Sequence, residues 1–144
     1  LAGFTNPQQI SGNLAFAINK ADVFIGVSGP NTVSEKMIQS MNNKPVVFAL
    51  ANPIPEIMPS LAIKAGAYIA GSGRSDFPNQ INNALVFPGV FRGALDNQVQ
   101  KITLSMLIKA AQNLASLVHK PTPEKIIPSI FDKGVVKKVS EAIK

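Results

Sequence analysis

The groups best placed to do chemistry in this chain are amides and hydroxyls: Ser28, Asn31, Asn52, Ser72, Asn79, Asn82 and Asn83 fall in predicted loops or at loop–helix junctions. Such groups donate and accept hydrogen bonds, so they can orient a polar ligand. None titrates near neutral pH, so none serves as a general acid or base. The set therefore reads as a binding surface. Pro53 biases Asn52 toward extended backbone, which either aims its amide off a strand end or simply starts a turn. Asn82 and Asn83 open a helical stretch, where capping explains one amide and leaves the other to face a crevice. Gly26 and Gly29 bracket the end of an apolar run, as suited to an ordinary turn as to close approach of backbone to a ligand.

What is missing narrows the chemistry further. The chain has no cysteine, which excludes disulfides, thiolate nucleophiles and thiolate metal sites. Its one histidine, His119, lies near a predicted helix end with no acid or serine partner and reads as structural or solvated. No clustered carboxylates suggest a divalent metal site. GVSGPN and GSGRSD both fall short of G-x-G-x-x-G, so the usual pyrophosphate cradle is missing. Arg74 and Asp76 flank Ser75, as an ion pair fixing their loop or as contacts for an anionic ligand.

The elements that must position these residues follow from hydrophobic patterning. Apolar runs at 22–27, 45–50 and 67–73 end in the turn clusters SGPN, ANPIPEI and GSGRSDFPNQ and read as buried strands. Between them, 32–41 has helical spacing with Ser34 as its cap, and Ser60–Ala65 forms a short helix stopped by Gly66. A helix within 6–21, capped by Asn6 or Ser11, should turn Leu14, Ala17 and Ile18 inward. Strands joined by helical crossovers make a parallel sheet, with ligands bound beyond the strand carboxyl ends. After residue 80 the pattern is helical. Pro88-Gly89 should break or bend the first stretch, 98–119 forms the longest, and a last helix capped by Asp132 buries Val135, Val136, Val139 and Ile143. The predicted fold is α/β: a partial doubly wound, Rossmann-like parallel sheet followed by carboxy-terminal helices.

With 144 residues, 46% apolar and 15% charged, the chain is too apolar for disorder and suits strands buried on both faces. It contains no membrane-length apolar run and no signal-peptide pattern. The lack of an initiator Met predicts a piece of something longer. Of the net charge of +6, most lies beyond residue 100, with eight Lys/Arg against three Asp/Glu. These lysines are scattered at helical spacing without clustered arginines or interleaved aromatics, so they read as solvated helix faces and not as a nucleic-acid surface.

ADVFIGVSGPN (21–31), PVVFALANPIPEI (45–57), GRSDFPNQINNALVFPGVFRGALD (73–96) and IIPSIFDKGVVKKVSEAI (126–143) together resemble the malic enzyme family, prokaryotic type. The resemblance covers the chain from about residue 6 and makes 1–144 the carboxy-terminal portion of the family's dinucleotide-binding domain. It implies a parent enzyme that oxidatively decarboxylates (S)-malate to pyruvate and carbon dioxide, passing hydride to NAD or NADP with Mg or Mn as the metal. Val27, Ser28, Gly29 and Asn52 would line the cofactor, and Asn52, Asn82 and Asn83 would hold malate. The catalytic tyrosine and lysine, the acidic metal ligands and the glycine fingerprint would lie upstream, so this chain alone should be inactive. A homodimer or larger assembly is also implied, and the lack of cysteine suits a cytoplasmic protein. Ile54 stands where many members carry a polar residue. The residues also permit a non-catalytic nucleotide- or metabolite-binding module or another dehydrogenase on the same sheet; within the family, a malolactic-type decarboxylase is possible.

Overall fold

The structure, a computed structural model, describes residues 3–144. The chain divides into two compact units, one ending at Ile69 and the other running from Ala70 to Lys144.

In the first unit β1 (Val23–Gly26) runs parallel to β2 (Val46–Ala49), with Val23 opposite Val46 and Gly26 opposite Ala49. β3 (Ile69–Ser72), which begins on the last residue of this unit, is the third strand of the parallel sheet, in the order β1-β2-β3. The crossovers are α2 (Glu35–Gln39) and α3 (Pro59–Lys64). Ser34 caps α2 as its sequence position predicts, its side chain accepting from the Met37 amide at 3.3 Å. α3 instead begins on Pro59, whose missing N–H costs nothing in a first turn, and stops before Gly66 at φ 111°.

Two expectations fail in this unit. The first helix is only α1 (Leu14–Ile18), capped by Asn13 and not by Asn6 or Ser11. Asn6 instead closes a turn, bonding the Ile10 carbonyl and amide at 2.8 and 2.9 Å. A single turn and a half offers a narrow inward face, so Ile18 is buried while Leu14 and Ala17 are exposed. β1, expected to be buried, leaves Val23 and Ile25 at 51% and 62% exposure, and Val27 just after it at 80%. It is an edge strand paired on one side only, and one of its faces is uncovered among the described residues.

Beyond β3 the second unit is helical. A 3-10 turn at Asn83–Leu85 leads into α4 (Phe87–Asp96), followed by α5 (Leu104–Ala115) and α6 (Val135–Ser140). Pro88-Gly89 does not break a helix. Pro88 stands in the first turn of α4, where its ring fits and its absent donor is not missed. α5 starts later than the apolar pattern suggests because Thr103 caps it, accepting from the Met106 amide. Asp132 does not cap α6. Its carboxylate accepts from the Ser129 amide, and Gly134 at φ 94° takes the cap position. Leu85, Val90, Ala110, Leu114, Val135, Val139 and Ile143 form the core, whereas Val136 faces out. α4 and α6 approach closely through Gly89 and Gly93: an added Cβ would lie 2.6 Å from Val139 Cβ and 2.6 Å from the Ser140 carbonyl, respectively.

Candidate functional site

The loops that follow β1 and β2 are joined through one carboxylate. Glu56 is wholly buried, and each of its oxygens is used. Oε1 accepts from the Ser28 amide at 2.7 Å and from the Ser28 hydroxyl at 3.2 Å; Oε2 accepts from the Ala51 amide at 3.0 Å. Backbone bonds lie alongside: Asn31 N–H to the Pro55 carbonyl at 3.1 Å and Val33 N–H to the Glu56 carbonyl at 3.0 Å. Burial alone would push the Glu56 carboxyl up. Backbone N–H donors from Ser28, Ala51 and Glu56 itself, with the Ser28 hydroxyl, outweigh it and hold the group below its ordinary value. Gly26 leaves room for it, since a Cβ there would come within 2.6 Å of Glu56 Cδ.

The candidate cofactor-side residues sit on this frame. Ser28 is held by Glu56, with its hydroxyl also 3.4 Å from that of Thr32. Val27 is exposed, and nothing stands within 4 Å of where a Cβ on Gly29 would project. Asn52 follows the pinned Ala51, is exposed, and joins Pro53 through a cis peptide bond. Its side chain makes no hydrogen bond among the described residues, so both ends of the amide remain free to meet a ligand.

Asn82 and Asn83 belong to the second unit and differ in what they have left to offer. Asn82 caps the 3-10 turn, its carbonyl oxygen accepting from the Ala84 amide at 2.9 Å and its nitrogen reaching the Gly73 carbonyl at 3.4 Å. Asn83 is exposed, and its side chain makes no hydrogen bond among the described residues. Other polar loop residues are structural. Asn79 is buried, donates to the Ala70 and Pro123 carbonyls and accepts from the Ile126 amide. Ser72, fully buried, accepts from the Arg74 amide. Arg74 and Asp76 form a two-pronged ion pair at 2.8 and 2.7 Å, which lowers the aspartic acid and raises the guanidinium.

Glu56 is the residue that sequence reasoning missed. A signal was present: it is the lone charged residue between Lys44 and Lys64, set in the apolar, proline-rich PIPEIMP. An acid in such a setting either escapes to solvent or is buried with N–H donors around it. Among the described residues no three His, Cys, Asp or Glu side chains gather into a metal site. No helix there is long and apolar enough to cross a membrane.

Residues 6–144 match the family model described as malic enzyme, NAD binding domain. A bifunctional malic/malolactic enzyme of Bacillus subtilis is 49% identical over 99% of this chain and 35% of its own length. An NAD-dependent malic enzyme of Geobacillus stearothermophilus is 46% identical over 99% of this chain and 30% of its own. The crystal structure of an NAD-dependent malic enzyme from Thermotoga maritima superposes with a TM-score of 0.95 at 50% identity, covering 99% of this chain and 37% of that one. The chain thus spans about a third of the length of each of these three relatives.

Proposed function

Because the chain belongs to the malic enzyme family, as part of its NAD-binding domain, we propose that the whole protein oxidatively decarboxylates (S)-malate to pyruvate and carbon dioxide with NAD or NADP as hydride acceptor. In this reading Val27, Ser28, Gly29 and Asn52 receive the nicotinamide end of the cofactor, and Asn52, Asn82 and Asn83 hold malate. One observation carries the site assignment: the Asn52 amide stands free and exposed directly after a backbone amide locked to a buried carboxylate. The donor set fits a nicotinamide, which presents an apolar ring and a carboxamide. Val27 offers exposed apolar surface, open Gly29 permits close approach, and Asn52 can both donate and accept.

When bound, the nicotinamide ring supplies the hydride acceptor. The named site residues orient and do not titrate. A neutral amide can fix the malate hydroxyl or carboxylate relative to C2 without adding a competing base. Of the adjacent pair, Asn83 has the free side chain, so it is the stronger candidate for the substrate carboxylate. The divalent metal, Mg or Mn, is not assigned to residues of this chain; a homodimeric or larger enzyme is proposed from the family resemblance, with the cytoplasm as its proposed compartment.

The test is steady-state kinetics of the full-length enzyme. Asn52→Ala should raise KM for malate roughly tenfold or more, the loss expected for one well-placed hydrogen bond to a charged ligand. Unchanged malate kinetics would remove Asn52 from the site. Product analysis for pyruvate against lactate distinguishes oxidative from malolactic turnover.

A further inference from the structure

We propose that Glu56 is a positioning residue that sets the cofactor-side loop and Asn52 in one fixed relation, so that dinucleotide and malate affinities depend on the same buried carboxylate. This rests on the functional reading above. The N–H donors that Glu56 gathers from other residues belong to the two loops in question and to the positions that matter in each. One is the amide of Ser28, between Val27 and Gly29. The other is the amide of Ala51, next to Asn52.

A merely structural tie would be a weaker explanation. The loops are already laced by Asn31 to Pro55 and Val33 to the Glu56 carbonyl, bonds that need no side chain. What the carboxylate adds is direction. It fixes where the Ser28 and Ala51 peptide planes point, and hence the departure of the chain into Gly29 and Asn52. Removing a charge from water is costly unless its lone pairs are satisfied. Glu56 has no Lys or Arg partner among the described residues and is satisfied by N–H and O–H donors alone. Both oxygens are therefore committed, one to each loop, and neither loop can shift without breaking a charged hydrogen bond. An amide in its place keeps one acceptor and turns an NH2 group toward a backbone N–H, so Glu56→Gln should release one loop with almost no change in volume.

The experiment uses the full-length enzyme with Asn52→Ala, Glu56→Gln and the double variant. Malate KM is read from steady-state kinetics and reduced-dinucleotide binding from fluorescence titration without malate. Folded Glu56→Gln should weaken both dinucleotide binding and malate KM roughly tenfold, the loss expected for one hydrogen bond to a charged group, with a smaller change in kcat. The double variant should raise malate KM little beyond Asn52→Ala alone, since both act through one contact. Values within about twofold of wild type in folded Glu56→Gln, or effects that multiply in the double variant, overturn the positioning role. If Glu56→Gln does not fold, Glu56→Asp, shorter by one methylene but still charged, is measured against the same criteria. A silent Asn52→Ala sinks the functional reading and this proposal with it; a strong Asn52→Ala beside silent Glu56 variants sinks this proposal alone.

Discussion

Gly26 lies against Glu56 so closely that an added Cβ would stand 2.6 Å from Cδ and 2.7 Å from Oε1. A strand residue and a loop carboxylate thus share one space, and only glycine at position 26 lets the carboxylate reach its donors.

Gly26→Ala should therefore act at a distance, through Glu56. The overpacking costs about 1–3 kcal/mol, seen as a lowered Tm of the full-length protein. Malate KM should rise with it, because Ala51 and Ser28 lose their acceptor. An unchanged Tm would mean that the loops yield more easily than this contact implies.

Glu56 also predicts a pH dependence. Its carboxyl is held below the ordinary value of 4.5, so in the folded state it gives up its proton more readily than in the unfolded chain. Its contribution to stability is complete above that ordinary value and is lost as pH falls through the lowered one. The stability difference between wild type and Glu56→Gln, from urea denaturation, should be constant from pH 7 to about 5 and shrink on further acidification. A difference that widens in acid would contradict the assignment.

Gly93→Ala should weaken the second unit. The new methyl would meet the Ser140 carbonyl at 2.6 Å and Ile143 Cβ at 2.8 Å, forcing α4 and α6 apart. A loss of about 1–3 kcal/mol is expected, with amide hydrogen exchange accelerated in both helices. Acceleration confined to one helix would show that the other does not depend on the contact.

The adjacent asparagines should separate under mutation. Asn82→Ala removes the side chain that accepts from the Ala84 amide and should cost about 1 kcal/mol. Asn83→Ala removes an exposed side chain with no hydrogen bond among the described residues, and should leave stability within about 0.5 kcal/mol while raising malate KM in the full-length enzyme. Thermal melts and kinetics on the two variants decide it.

The sequence was most legible where a local rule had no competitor. Ser34 caps α2 because a hydroxyl immediately before a polar–apolar helical pattern has one obvious use, and Gly66 ends α3 for an equally local reason. The three strands were visible because β-branched and aromatic runs ended in glycine and proline. Reading failed where two local rules apply to one residue. Pro88 breaks a helix in its middle and opens one at its first turn, and nothing near it in the chain says which. Asp132 and Gly134 both suit the start of α6, and the aspartate was drawn to the Ser129 amide instead. Burial of β1 could not be inferred from its composition, since exposure depends on neighbouring strands. Glu56 was overlooked because one of its two partners, Ser28, is 28 residues away and because, among loop prolines, a single acid reads as solvated.

The bare side of β1 bears on how this stretch behaves when handled alone. Val23 and Ile25, with Val27 just past the strand, lie beside a backbone edge that has no hydrogen-bonded strand among the described residues, an arrangement prone to recruit a foreign strand. Concentrated samples of residues 1–144 should cloud on standing, and a lysine in place of Ile25 should keep them clear.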